Sequence, residues 1–232
     1  MGLVKFGGGI IQISGKLGGN IFSRNKGGNY VRGFTNPINP NTGLQVAVRA
    51  SLAQLTDRWS NTLTAANRTA WNLYAASVTV TNRLGESVNI SGFNHYIRSG
   101  VEFLNRLGGY TDAGPVVFEI PEQDPTLAIT ATEAGQTISV TFDNALDSAN
   151  ETGATMFIYQ GTPQNGQRNF FAGPWRFIGN VLGDDAVPPV SPVVIPVDFA
   201  IAEGQRQWIF ARIRRVDGRL SEPFRADIEV GA

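Results

Sequence analysis

The sequence has no cysteine and a single histidine, His95. Without cysteine there are no disulfide frameworks, thiolate zinc sites, iron–sulfur clusters or cysteine nucleophiles. One imidazole leaves none of the His-based acid–base or metal constellations that can be recognised by spacing. Charge is also scarce: 16% of the residues are Asp, Glu, Lys or Arg, against about 25% in typical globular chains. No apolar run approaches the ~20 residues needed to cross a bilayer. The opening Met1-Gly-Leu-Val-Lys-Phe-Gly-Gly-Gly has no apolar core of a secretion signal, and Phe6 stands where a myristoylation motif needs Ser or Thr. These shortages predict a protein made in the cytoplasm without a signal peptide. They also predict no catalytic activity, no cofactor, no metal and no membrane partner.

What is present is apolar and rich in glycine. Hydrophobic residues make up 42% of the 232 positions, with 27 Gly and 12 Pro, enough to build a packed core and to exclude disorder over most of the chain. The 19 basic and 19 acidic residues cancel overall but not locally. Residues 1–110 hold eleven basic and three acidic residues, a net charge of +8; the rest hold eight basic and sixteen acidic, a net charge of −8. Such a partition suits a basic half that meets an acidic partner: nucleic acid, an acidic protein lattice, or the acidic half of a neighbouring copy. Gly108-Gly-Tyr-Thr-Asp-Ala-Gly-Pro115 and Pro121-Glu-Gln-Asp-Pro125 read as linker. The expected organisation is a basic domain over 1–108, a linker over 109–125 and an acidic domain over 126–232.

Ten of the glycines fall within residues 1–34, between short runs of β-formers at Leu3–Phe6, Ile10–Ile13, Asn20–Ser23 and Asn29–Phe34. They predict strands joined by glycine-rich turns. Gly7–Gly9 and Lys26-Gly-Gly match neither the Walker nor the dinucleotide spacing. Leu44, Val48, Leu52, Leu55, Trp59 and Leu63, spaced by 4, 4, 3, 4 and 4, define an amphipathic helix with Asn41 or Thr42 as its N-cap. Thr64 caps a second helix over 65–76 that buries Trp71, Tyr74 and Ala75. A hairpin follows over 78–90. Ser91 opens a third helix whose stripe is Phe93, Ile97, Val101 and Leu104. His95 lies off that stripe and reads as a packing or surface residue rather than a ligand, and Trp59, Trp71 and Tyr74 read as core rather than as a base-stacking platform.

The succession Ser14-Gly-Lys-Leu-Gly-Gly, Phe22-Ser-Arg-Asn-Lys-Gly-Gly-Asn-Tyr-Val-Arg32, Asn36-Pro-Ile-Asn-Pro-Asn-Thr42, Arg68-Thr-Ala-Trp-Asn72 and Ser91-Gly-Phe-Asn-His-Tyr-Ile-Arg98 resembles a family found among phage, prophage and bacterial structural proteins. The resemblance covers about residues 10–100. It implies a virion or assembly component, with major capsid or neighbouring structural subunits as partners, and no activity attaches to it.

From Thr126 onward the pattern is all β, with about seven short strands expected at 127–132, 137–142, 154–160, 168–178, 193–197, 207–216 and 224–230. The closing Trp208-Ile-Phe-Ala-Arg-Ile-Arg-Arg-Val-Asp-Gly-Arg-Leu-Ser-Glu-Pro-Phe224 resembles the last hairpin of fibronectin type III domains. The fold class expected is therefore α+β: glycine-rich β-hairpins plus three helices, then an immunoglobulin- or fibronectin III-like sandwich. Asp184–Asp185 reads as an exposed turn rather than a cation site.

The favoured function is a virion subunit that decorates, cements or joins the head or collar through its basic domain. A filament subunit exchanging N-terminal strands, with +8 stacked on −8, is the alternative. DNA binding is the least favoured, because the basic residues are dispersed. A free tail made of residues 1–34 would leave much apolar surface in water, so the segment is expected to be ordered against another protein chain in a homo-oligomer or particle. Its candidate interface residues are Ile10, Ile11, Ile13, Ile21, Phe22, Tyr30 and Val31, with Arg24, Lys26 and Arg32 steering toward an acidic surface.

Overall fold

The computed structural model describes residues 2–232 apart from Lys26, Pro37 and Arg83. It combines helices with several antiparallel sheets, an α+β composition, and divides into two compact units, Met1–Glu119 and Ile120–Ala232. Among the described residues no helix is long and apolar enough to cross a membrane.

The first unit begins with a four-stranded antiparallel sheet of β1 (Gly2–Leu3), β2 (Gly15–Leu17), β3 (Asn20–Asn25) and β4 (Gly28–Gly33), in the order β1-β4-β3-β2. Gly18, at φ 57°, turns β2 into β3, and Gly28, at φ 112°, opens β4; both need the left-handed region that glycine enters without a Cβ penalty. The expected strand at Ile10–Ile13 does not form. Gly8 and Gly9 both take positive φ there, and the turn they make is closed by Ile10 N donating to Gly7 O.

Three helices follow, each started by a hydroxyl that accepts from a backbone N–H three residues on. Thr42 caps α1 (Gly43–Asp57), Thr64 caps α2 (Ala65–Ser77) and Ser91 caps α3 (Gly92–Leu107). A π-helical turn, Arg58–Thr62, extends α1. The Arg68 guanidinium donates to its Trp59 and Ser60 carbonyls at 3.0 and 3.2 Å. Between α2 and α3 lies the hairpin of β5 (Val80–Thr81) and β6 (Ser87–Val88). Its turn is held by Asn82 Oδ1, which accepts from Leu84 N and Glu86 N.

The buried face of α3 differs from the expected stripe. Gly92, His95, Tyr96, Ser99 and Gly100 are the buried residues, while Phe93, Ile97, Val101 and Leu104 are half-buried. The cause is close helix approach. A Cβ on Gly92 would lie 2.6–2.7 Å from Asn72 and the Trp71 backbone of α2, and one on Gly100 would meet Leu55 of α1 at 3.1 Å. The small residues therefore turn inward and the larger ones flank them. Around this contact sits an aromatic cluster in which Tyr96 lies 5.4 Å from Trp59 and 5.7 Å from Trp71, the latter edge-on.

Much of the 109–125 stretch is anchored. Arg58 makes a two-pronged ion pair with Asp112 at 2.7 and 2.5 Å, Trp71 Nε1 donates to the Asp112 carbonyl, and Gly114 lies against the Ala70–Trp71 backbone. At the other end, the buried Asp124 accepts from Thr126 N, Thr126 Oγ1 and Asp143 N within the second unit. Val116, Val117, Phe118 and Glu119 lie exposed between the two anchors.

The second unit consists of two facing sheets. One has the order β12 (Val193–Pro196), β8 (Thr137–Thr141), β7 (Ala128–Thr132). The other runs β11 (Trp175–Leu182), β9 (Thr155–Gly161), β13 (Gln205–Arg214), β14 (Phe224–Glu229), with the short β10 (Gln164–Asn165) also on β13. Ile138, Val140 and Ile195 from the first sheet and Met156, Ile158, Ile209, Ala211 and Ile213 from the second form one apolar core. β9 is buried along its whole length, and on its outer side Phe157 and Tyr159 pack on Phe177, with Tyr159 also stacked on Phe210 at 4.5 Å. The strand expected over 168–178 starts only at Trp175, after Gly173 (φ 119°) and Pro174 break the extended run, and continues to Leu182 with a bulge at Ile178.

Limited proteolysis should cut first within residues 116–119 and release a stable fragment from about Ile120 onward. An early cut inside that fragment would contradict this division. Gly92→Ala should lower the stability of the first unit by roughly 1–3 kcal/mol, because backbone rather than a flexible side chain opposes the new methyl. Urea unfolding followed by helix ellipticity measures it.

Candidate functional site

The candidate surface is the amino-terminal sheet. Its strands contain no buried residue, although β-branched and aromatic side chains recur along them. The β3–β4 register pairs Ile21 with Arg32, Phe22 with Val31, Ser23 with Tyr30 and Arg24 with Asn29. Since directly paired residues share a face, Phe22 and Val31 lie on one face and Ile21, Arg32 and Tyr30 on the other. Each face is thus a mixture of apolar groups and a guanidinium. A single sheet cannot cover both of its own faces, and three or more strands with a buried face are what ordinarily stabilise one.

The structure brings Ile21, Phe22, Arg24, Tyr30, Val31 and Arg32 together on β3 and β4. It does not bring Ile10, Ile11 and Ile13 onto the sheet; they lie in the loop before β2, with Ile11 91% exposed and Ile13 half-buried. Lys26 lies outside the described residues. The rim of the sheet is tied to the helical part by Lys5, whose ammonium meets Glu86 at 2.5 Å and, with Asn82, holds that carboxyl below its ordinary range. Lys16 lies over the Phe34 ring at 3.9 Å. The first acidic residue of the sequence is Asp57, so six basic residues precede any carboxylate side chain. The chemistry this surface offers is cation donation beside half-buried apolar groups, with Leu17 and Phe34 exposed at its edge.

His95 is 6% exposed and packs edge-on against Tyr74 at 5.1 Å, with its Nε2 lacking a hydrogen-bond partner among the described residues. Burial, reinforced by the nearby Arg98 charge, lowers its pKa to about 4. Burial likewise raises Tyr96 to about 12. Among the described residues no group of three or more His, Cys, Asp and Glu side chains is placed to hold a metal ion. Asp184 and Asp185 organise a turn: Asp184 Oδ1 accepts from Ala186 N and Val187 N, and the Thr152 hydroxyl donates to Asp185 and lowers its pKa.

A second surface was not visible in the helical periodicity. The stripe of α1 is buried at Leu55 but open at its start, where Leu44, Val46, Val48 and Leu52 are 43–69% exposed. The signal that marks it is composition: within Leu44–Ala50 only Gln45 and Arg49 are polar, more apolar than one packing stripe requires.

No family model matches the chain, and no curated protein matches it. A solved structure, the adhesin domain of Epf from Streptococcus pyogenes, aligns at 14% identity with a TM-score of 0.28 over 48% of this chain and 32% of that one. The chain thus spans about a third of the length of that structure.

The depressed pKa of His95 sets a sign for pH dependence. The unfolded chain takes up the proton near pH 6.5 and the folded one only near 4, so the folded state loses stability as pH falls through that window. Melting of the helix signal should therefore drop between about pH 6.5 and 4, and His95→Gln should remove that component. Equal acid sensitivity in the two proteins would contradict it.

Proposed function

We propose that this chain is a non-enzymatic virion structural protein, a decoration, cement or head- or collar-associated subunit, held on its particle by the amino-terminal unit. The observation that carries the proposal is the amino-terminal sheet: six strand residues with large apolar or basic side chains, none buried, in a segment preceding the first carboxylate side chain. Such a layer is stabilised by a partner that supplies apolar cover and negative charge. The partner is a neighbouring virion protein, the major capsid subunit or an adjoining copy, and the protein resides in the virion. The resemblance of its sequence motifs to those of phage and prophage structural proteins supports the same reading.

The second unit is the displayed part. Its strand order, β7-β8-β12 facing β11-β9-β13-β14, supports its reading as an immunoglobulin- or fibronectin III-like sandwich. Such a module exposes loops at both ends without needing the lattice for its own core.

Removing residues 1–34 should leave the sandwich folded and abolish incorporation, read as band occupancy on purified particles. Reversing Arg24, Lys26 and Arg32 to Glu should weaken incorporation most at low ionic strength, where screening is least. Normal occupancy of the truncated chain would overturn the assignment of this segment and move attachment to the helices.

A further inference from the structure

α1 overhangs the helix it packs on. Ser51 Oγ donates to Asn105 Oδ1 of α3, and Leu55 meets Gly100, so the two helices run antiparallel and α3 ends at Gly108 while α1 still has two turns to go. Those two turns are apolar on nearly all sides, and a helix apolar all round is ordinarily a buried one. Leu44 is 69% exposed, with Val46 and Val48 about half exposed. Their polar sector is already occupied: the Arg49 guanidinium donates to Asn41 Oδ1 at 2.8 Å and Asn39 Oδ1 at 2.5 Å, folding the Asn-Pro-Asn lead-in back over it.

The second unit offers a surface of the opposite kind. The loops 142–154, 183–192 and 215–223 gather at one end of the two sheets, joined by Asp184 N donating to Ala149 O, by Thr152 with Asp185, and by Gly153 against Val216. They hold seven carboxylates and two arginines, Arg215 and Arg219, whereas the loops of the opposite end hold three carboxylates and Arg168. On the loop 183–192, Val187 and Val190 are 74% and 79% exposed. This end thus carries exposed valines on loops of net charge −5, with Arg215 paired to Glu151 and Asp147 and Arg219 to Asp217.

We propose that the start of α1 docks onto the acidic loop end of the second unit of another copy of this chain, a head-to-tail contact. Two complementarities support the choice of a second copy. The apolar patch of α1 lies within an acid-free stretch of 56 residues carrying six cations, and it would meet exposed valines on loops of net charge −5. The charge totals agree: Met1–Glu119 carries eleven basic and five acidic residues, a net +6, and Ile120–Ala232 carries eight and fourteen, a net −6. Like-to-like pairing of either unit would oppose equal charges. A head-to-tail contact joins opposite ones, and it generates a ring or an open row rather than an isolated dimer. The inference stands apart from the virion reading, since it needs only the purified chain.

The test is sedimentation of the full chain at up to about 100 μM in about 0.02 M and about 0.5 M salt. The wild type should form concentration-dependent oligomers that weaken with salt. Leu44→Gln with Val48→Gln, all exposed positions, should weaken association at least ~10-fold, as should Asp147→Lys with Val190→Ser at the loop end, each with unchanged circular dichroism. Each variant retains one intact face, so their equimolar mixture should form a heterodimer and stop there. A monomeric wild type, association untouched by either variant, or a mixture that stays monomeric would each overturn the proposal. Absence of the wild-type chain from purified particles, with self-association intact, would instead count against the virion reading alone.

Discussion

The first unit depends on how closely α3 can approach its two neighbours. Gly92 sits against the α2 backbone and Gly100 against Leu55 of α1, and at neither position is there room for a further methyl group at full van der Waals distance. That approach puts Tyr96 between Trp59 and Trp71, buries His95 in an unprotonated form, and brings α1 within reach of Asn105. It also limits α3 to covering the later half of α1. The exposed apolar turns at the start of α1 are therefore a geometric consequence of a short, close contact. They are not the product of a poorly patterned helix.

The residues of the recurring sequence motifs in the first unit are mostly packing and capping residues. Arg68 satisfies two carbonyls of the π-helical turn, Trp71 reaches the Asp112 carbonyl, Asn72 lines the wall against Gly92, and the Asn39 and Asn41 side chains hold Arg49. Ser91 caps α3. Such residues explain why a particular three-helix arrangement forms. They contribute no reacting group, and what the unit offers to other molecules lies on the surfaces these contacts leave uncovered.

The second unit is organised by a different device. Gln160 and Gln207 are fully buried between the sheets. Gln160 Oε1 accepts from Asp198 N and Phe199 N while its Nε2 donates to Phe199 O and Gln207 Oε1. A buried amide with its capacity filled costs little, whereas losing one partner leaves an unpaired polar group in apolar surroundings. The pair thereby fixes the loop after β12 at one end of the sheets and leaves the acidic loops at the other end free of that duty. Arg214, buried on β13 with its pKa lowered to about 10 by burial, lies near Asp217 and Glu151 at the acidic end.

Helix starts, the three amphipathic segments, the alternation of Ile138, Val140 and Phe142, and the opposed charges of the two halves were all legible in the sequence, because each depends on residues close together in the chain. The strand suggested by Ile10–Ile13 does not form and β11 starts later than its propensity suggests, because positive-φ glycines and a proline override the preference of their neighbours. The candidate sheet was legible as strands but not as a layer without a fully buried face, since burial depends on what packs above it. The inward face of α3, the anchoring of Asp112 by Arg58 and the gathering of carboxylates at one end of the sheets bring together residues far apart in sequence. Local pattern determined which elements form; only tertiary packing decided which of their apolar faces remain open, because that depends on where each neighbouring element ends.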